Sequence, residues 1–330
     1  MDERDILKDV NQIEIRSLHH IHGQPQVVEA LRVFLQAYFN SRANSGDRDL
    51  CFGPVLFAGP SGTGKTLVAQ ALHAELGNLK LLQTNGATLN KKSELYAVLF
   101  YADDNTTIFV DEAQGMQAQA QYVLLTAISE RAVYTHGRAY RLPNFTLVLA
   151  STHEYLLQAA LRNRMRITCR FDYYSVEDLT KIVRQRADAL GWRYEADEVL
   201  RIVAERAKKT PRLAINTNLQ TCWNVTTSCD RAVITLEDAM EAFRLLQVDE
   251  LGLDKLDRSY LKVLLDRGPS YLGVLSSMLA LPIQTIQKNI EPYLFREDFA
   301  TKDKSLRRTL TEKGTAHIRE TLRRIIEIQE

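Results

Sequence analysis

Residues 59–66 read GPSGTGKT, which fits the phosphate-binding pattern G-x-x-x-x-G-K-[ST]. PVLFA precedes it as an apolar strand candidate, and LVAQALHAEL follows with helical spacing. That context gives the pattern a mechanism. Backbone N–H groups of Gly59, Pro60, Ser61, Gly62, Thr63 and Gly64 (proline excepted) can wrap nucleotide phosphates, and the start of the following helix, from Lys65 through Thr66 and Leu67, adds a partial positive charge. Lys65 supplies a mobile cation and the Thr66 hydroxyl is placed to ligate Mg²⁺. The stretch predicts binding of ATP or GTP.

Beyond this loop the chain alternates apolar runs with helical patterns, as a sheet with helices on both faces does. LKLLQTNG (79–86) reads as a second strand, TTIFVDEAQ (106–114) as a third and FTLVLASTHE (145–154) as a fourth. The third ends in Asp111 and Glu112. Ligands of open α/β sheets bind at the carboxyl ends of strands, so Asp111 is expected to hold Mg²⁺ and Glu112 to orient and deprotonate a water. Ser151 and Thr152 leave the fourth strand where a hydroxyl meets the γ-phosphate and the attacking water. LRNRMRI (161–167) sets three arginines close together, and TPRLAIN (210–216) places Pro211 and Arg212 at a helix start.

Composition sets the frame. At 330 residues the chain is long for one core, and two or three domains are expected. Apolar content of 45% and charged content of 25% describe an ordinary soluble protein. No apolar run approaches the ~20 residues of a membrane span, and MDERDILKDV is too acidic for a secretory leader. Cys51, Cys169, Cys222 and Cys229 lack metal-ligand spacing and read as reduced thiols of a cytoplasmic protein. From Lys255 onward fourteen Lys/Arg stand against ten Asp/Glu, while the rest of the chain is slightly acidic. That asymmetry suits a polyanion partner and, equally, a solvated surface.

Phosphate loop, DEAQ, AST, LRNR and TPR, in this order, resemble the AAA+ ATPases and more closely the RuvB family of Holliday junction branch-migration motors. The similarity runs from HIHGQPQVVEALRVFL (20–35) to about Ile318. Its most specific stretches are FDYYSVEDL (171–179), TPRLA (210–214), VDELGLDKLDR (248–258) and IEPYLFRE (290–297). The resemblance implies an AAA+ large domain at 1–175, a helical lid at 176–250 and a winged-helix domain at 251–330. It places Thr152 at the first sensor and Arg212 at the second. Arg164, or failing it Arg162, becomes the arginine finger that enters a neighbouring subunit's site, which requires a homo-oligomer, a hexameric ring in this family. Ile21 and Gly23 match the segment beside the adenine, and Tyr174 a residue packed near it.

In the last third, KLDRSYLKVLLDR, LGVLSSMLAL and PIQTIQKNIEPYLF read as three helices, followed by a hairpin in ATKDKSLRRTLTEKG. The third helix offers only Lys288 as a cation, so base reading is not expected. Lys302, Lys304, Arg307 and Arg308 cluster on the wing, where they would neutralise phosphates of duplex or branched DNA without reading sequence. Two stretches depart from the family. SERAVYTHGRAYRLPN (129–144) is too short for the long hairpin that docks the family's RuvA partner, leaving a short turn at His136–Gly137, and the wing reads TKDKSLRR. Two functions remain open: a DNA-translocating ATPase that works without a RuvA-type partner, or a nucleotide switch that loads another protein onto DNA.

Overall fold

The computed structural model describes residues 9–10, 13, 15–45 and 50–329. The chain divides into two compact units, Met1–Trp192 with Lys209–Gln220, and Arg193–Lys208 with Thr221–Glu330. The helical stretch read as 176–250 is thus shared between them.

In the first unit, the apolar runs become a five-stranded parallel sheet. Its strands are β1 (Val55–Ala58), β2 (Lys80–Asn85), β3 (Thr106–Asp111), β6 (Thr146–Ser151) and β7 (Ile167–Arg170), in the order β2-β3-β6-β1-β7. Every residue of β1 and β6 is buried, as near-continuous apolar strands covered on both faces must be. Alternation along the strands supplies two cores. Leu56, Ile108, Val110, Leu147 and Leu149 face one side, packed with Leu95 and Leu99 of α3 (Lys92–Tyr101) and Leu124 of α4 (Ala118–Glu130). Val55, Phe57, Phe109 and Val148 face the other, with Leu31 of α1 (Pro25–Ser45) and Val68 and Leu72 of α2 (Lys65–Leu76).

Strand β7 was not foreseen. Arg166 precedes ITCR and Arg170 ends it, so it reads as part of a cationic run, yet Ile167 and Cys169 are buried and Val55 pairs with Ile167 at the sheet edge. Between α4 and β6 the chain forms β4 (Ala132–Thr135) and β5 (Arg138–Arg141), joined by His136 (φ 50°) and Gly137 (φ 72°). Positive φ at both central residues is the two-residue turn that matches strand twist. The hairpin is therefore short, as its sequence implies.

In the second unit, β8 (Arg193–Tyr194) pairs with β9 (Val233–Ile234) among α7 (Asp197–Glu205), α8 (Gln220–Ser228) and α9 (Leu236–Leu246). Then follow α10 (Lys255–Arg267), begun by an Asp254–Asp257 capping box, and α11 (Leu272–Leu279). The third predicted helix is continuous only in part. Its middle, Ile286–Ile290, is π-helical before α12 (Glu291–Arg296). Pro292 has no N–H to return to the preceding turn, which is the local cause of the widened ladder. A core of Leu253, Tyr260, Leu261, Leu264, Leu275, Ile290, Leu294 and Phe299 joins these helices to the wing, β10 (Ala300–Lys302) with β11 (Arg308–Leu310). Ser270 extends that sheet through paired backbone bonds with Arg308 of 2.9 and 2.8 Å.

Arg308 corrects one expectation. Its side chain, 8% exposed, does not stand on the wing surface; Nε donates to Glu291 Oε1 at 2.7 Å and Nη2 to Oε2 at 3.3 Å. Tyr260 Oη donates to the same Oε1 at 3.3 Å. Alternation along β11 turned Arg308 inward, on the face it shares with Lys302 opposite it, where α12 supplies a carboxylate. Truncating one member of a buried pair leaves the other charge unpaired and costs about 3–5 kcal/mol, whereas an apolar pair of similar volume costs far less. Arg308→Ala is therefore expected to lower amide-exchange protection in α10 and β11 by that amount, and Arg308→Met with Glu291→Leu to restore most of it. Full protection in Arg308→Ala would contradict the role.

Candidate nucleotide site

The phosphate loop leaves β1 and runs into α2. Gly59 has φ 150°, and a Cβ there would lie 2.4 Å from the Phe171 carbonyl oxygen, so only glycine lets the loop pass β7's exit. Gly64 enters α2 at φ 91°. Lys65 is buried, and its Nζ donates to the carbonyls of Gly59 (2.8 Å) and Pro60 (2.7 Å). Burial lowers its pKa, opposed by the nearby charges of Glu112 and Asp111. Thr66 Oγ1 donates to Asp111 Oδ2 at 3.1 Å, joining the first turn of α2 to the end of β3. Two hard oxygen donors within one ion's reach suit Mg²⁺, which is bound by few protein oxygens plus substrate phosphate.

Glu112 follows in a left-handed conformation (φ 44°), its N–H bonded to Asp111 Oδ1 at 2.9 Å. That turn sends the two adjacent carboxylates different ways. Glu112 Oε2 accepts from Thr152 Oγ1 at 2.8 Å and from the Gln114 side-chain amide. Gln114 Nε2 also donates to Thr152 Oγ1 at 2.8 Å, and Ser151 Oγ donates to Gln114 Oε1 at 2.6 Å. Thr152 thus reaches Glu112. Ser151 is fully buried, its hydroxyl turned to Gln114. Gln114 was passed over because nothing in DEAQ marks a glutamine until Ser151 and Thr152 arrive from β6.

Arg212 closes the other side. Its Nη1 donates to Ser61 Oγ at 3.0 Å and its backbone N–H to Gly62 O at 3.4 Å. A cavity of about 290 Å³ lies between, lined by Ser61, Lys65, Thr66, Asp111, Glu112 and Arg212. Beside it Ile21, Leu67, Val68, Tyr174, Pro211 and Ile215 line a narrower apolar recess fit for a flat ring. Tyr174 Oη donates to Thr63 O at 2.9 Å, and burial pushes its pKa up to about 12. A Cβ on Gly23 (φ 69°) would sit 2.5 Å from the Tyr174 ring, so the two expected base-side residues are packed against each other.

Arg186 of α6 (Val176–Leu190) escaped the sequence reading. It is buried, lines both recesses, and Nη1 donates to Val10 O (2.7 Å) and Ile13 O (2.9 Å). The available signal was its place on the apolar stripe with Leu179, Val183 and Leu190. Two expected residues lie elsewhere. Arg162 ends the short helix α5 (Ala159–Arg162), and exposed Arg164 lines a separate cavity with Cys51, Pro54, Arg131 and Arg166. On the wing Lys302 sits 5.0 Å over the Phe295 ring and 3.9 Å from Glu291, Arg307 pairs with Asp303 at 2.8 Å, and Lys304 is exposed at the tip.

Comparison with known proteins gives a consistent picture. Residues 13–171 match the profile described as the Holliday junction DNA helicase RuvB P-loop domain, and residues 250–319 that of the RuvB C-terminal winged helix domain. The chain is 31% identical over 296 residues to the Holliday junction branch migration complex subunit RuvB of Clostridium kluyveri, covering 86% of this chain and 81% of that protein. Among solved structures, the Thermotoga maritima RuvB Holliday junction branch migration motor superposes with a TM-score of 0.80 at 28% identity, over 93% of this chain and 98% of that one. A point mutant of the same motor gives 0.81.

Lys65 is the cation most directly offered to phosphate. A bond to a charged group contributes about 1.5–3 kcal/mol, so Lys65→Ala is expected to weaken ATP binding roughly 10- to 100-fold. Calorimetric titration with a non-hydrolysable ATP analogue reads this; unchanged affinity would take Lys65 out of the site.

Proposed function

Because the chain belongs to the RuvB family, we propose that it is a ring-forming ATPase that couples hydrolysis to movement of duplex or branched DNA. It is an ATPase of the helicase type. The observation that carries the reading is the meeting, at the carboxyl edge of one parallel sheet, of Lys65, Thr66, Asp111, Glu112, Thr152 and Arg212. ATP enters with its phosphates along 59–66 and its adenine in the recess by Ile21, Gly23 and Tyr174. Lys65 exchanges its loop carbonyls for phosphate oxygens. Thr66 and Asp111 would hold Mg²⁺, which would offset the charge of the β- and γ-phosphates. Glu112 accepts the proton of the attacking water while Thr152 orients it, and Arg212 faces the phosphates from the far side.

Arg164 lies on a different surface from its own subunit's cleft, as a finger acting on a neighbour must. The ring is hexameric in this reading, and Arg162 is the second choice for the finger. Lys302, Lys304 and Arg307 make phosphate contacts on DNA, with Arg308 holding the wing's base. Cytoplasmic residence follows from DNA as the substrate, and among the described residues no helix is long and apolar enough to cross a membrane. The short β4–β5 hairpin favours work without a RuvA-type partner. The same hairpin supports a second reading, a nucleotide switch that loads another protein onto DNA without processive movement.

The test joins turnover to movement. ATP turnover per protomer is expected to rise with protein concentration, and a labelled synthetic four-way junction to be resolved into duplex products only with hydrolysable ATP. Arg164→Ala is expected to lose turnover by roughly 10³–10⁵-fold while still binding ATP. Turnover independent of concentration and intact in Arg164→Ala would refute the trans finger. Full turnover with an unmoved junction would select the switch.

A further inference from the structure

Gln114 stands at the centre of a closed set of bonds for which hydrolysis as described has no use. An amide side chain presents a donor end and an acceptor end, and whichever faces a carboxylate decides between attraction and repulsion. Here the choice is imposed. The Glu112 carboxylate only accepts, so Gln114 turns Nε2 to it and Oε1 to Ser151, whose Oγ accepts from the His153 backbone N–H at 3.1 Å and donates to Oε1 at 2.6 Å. Nε2 thus faces both Glu112 Oε2 and Thr152 Oγ1. Thr152 accepts from Gln114, meets His153 Nδ1 at 3.0 Å and gives its hydroxyl hydrogen to the same Oε2 at 2.8 Å.

The support beneath this set is stiff. Gln114 lies in a one-turn 3-10 segment, Ala113–Gly115, with Ala113 fully buried and the Gly115 N–H bonded to Glu112 O at 2.8 Å. Gly86 leaves room for that same carbonyl, since a Cβ there would meet Glu112 O at 2.3 Å. Ser151 and Thr152 come from the end of β6, next to β3 in the sheet. Both side-chain bonds to Glu112 fall on Oε2, which leaves Oε1 to accept a proton from water.

We infer that Gln114 is a positioning residue for hydrolysis: with its amide nitrogen turned to the acceptor-only carboxylate and its oxygen held by Ser151, it holds Glu112 by one oxygen so that the other serves the attacking water. This rests on Glu112 as the base. A misplacement of about 1 Å in a reacting group costs on the order of a hundredfold in rate.

Gln114→Ala in the full-length assembled protein is expected to lower kcat roughly 10- to 100-fold with KM, affinity for a non-hydrolysable ATP analogue and melting temperature unchanged. Gln114→Glu, equal in size, sets a carboxylate against Glu112 and is expected to lose at least as much. Ser151→Ala removes the bond that holds Gln114 Oε1 and is expected to fall between Gln114→Ala and wild type. In a Glu112→Gln background, Gln114→Ala is expected to add no further loss. Unchanged kcat in Gln114→Ala and Gln114→Glu overturns the inference, as does loss of kcat in step with ATP affinity or melting temperature. Wild-type turnover by Glu112→Gln alone would instead refute the base assignment, which keeps the two failures apart.

Discussion

A hydrogen bond of 3.1 Å from Thr66 to Asp111 joins the helix that follows the phosphate loop to the strand that carries the acids. It can form only because β6 lies between β1 and β3, all parallel, so that three strands present their carboxyl ends at one edge. Parallel strands need long crossovers, and each crossover here is a helix that covers the sheet. The apolar faces of β1, β3 and β6 thereby fix where charge collects. Lys65, Asp111 and Glu112 line one cleft, and Lys65 rests on its own loop's carbonyls. Such a cleft is prepared for a polyanion with its counter-ion.

Much of this was legible in the chain because it is local. A phosphate loop is eight consecutive residues, and an acid pair closing an apolar run is two more. Buried parallel strands declare themselves as unbroken apolar stretches. What stayed hidden depends on neighbours that only the fold supplies. Gln114 acquires a role when β6 brings Ser151 and Thr152 beside it. Arg186 counts as part of the site because α6 turns it toward the carbonyls of Val10 and Ile13. Strand β7 was masked by Arg166 and Arg170. Arg308 looked like the other wing cations until Glu291 met it in the core.

In the proposed reading, the hairpin and the wing are the parts that would couple the ATPase to DNA and partners. The hairpin between α4 and β6 is two four-residue strands and a two-residue turn. On the wing one cation is locked inside, another is tied to Asp303 and a third is partly occupied by Phe295 and Glu291. Exposed ion pairs contribute little, so Arg307 can leave Asp303 for a phosphate at small cost.

The account turns on Glu112 acting as the base that the sheet edge positions. Glu112→Gln keeps the side chain's size and removes its ability to take a proton, and general-base assistance is typically worth about 10²–10⁴ in rate. Steady-state turnover measured beside ATP affinity on the same preparation is the direct measurement. The account predicts affinity within about twofold of wild type and turnover lower by at least about a hundredfold. Wild-type turnover in that variant would contradict it.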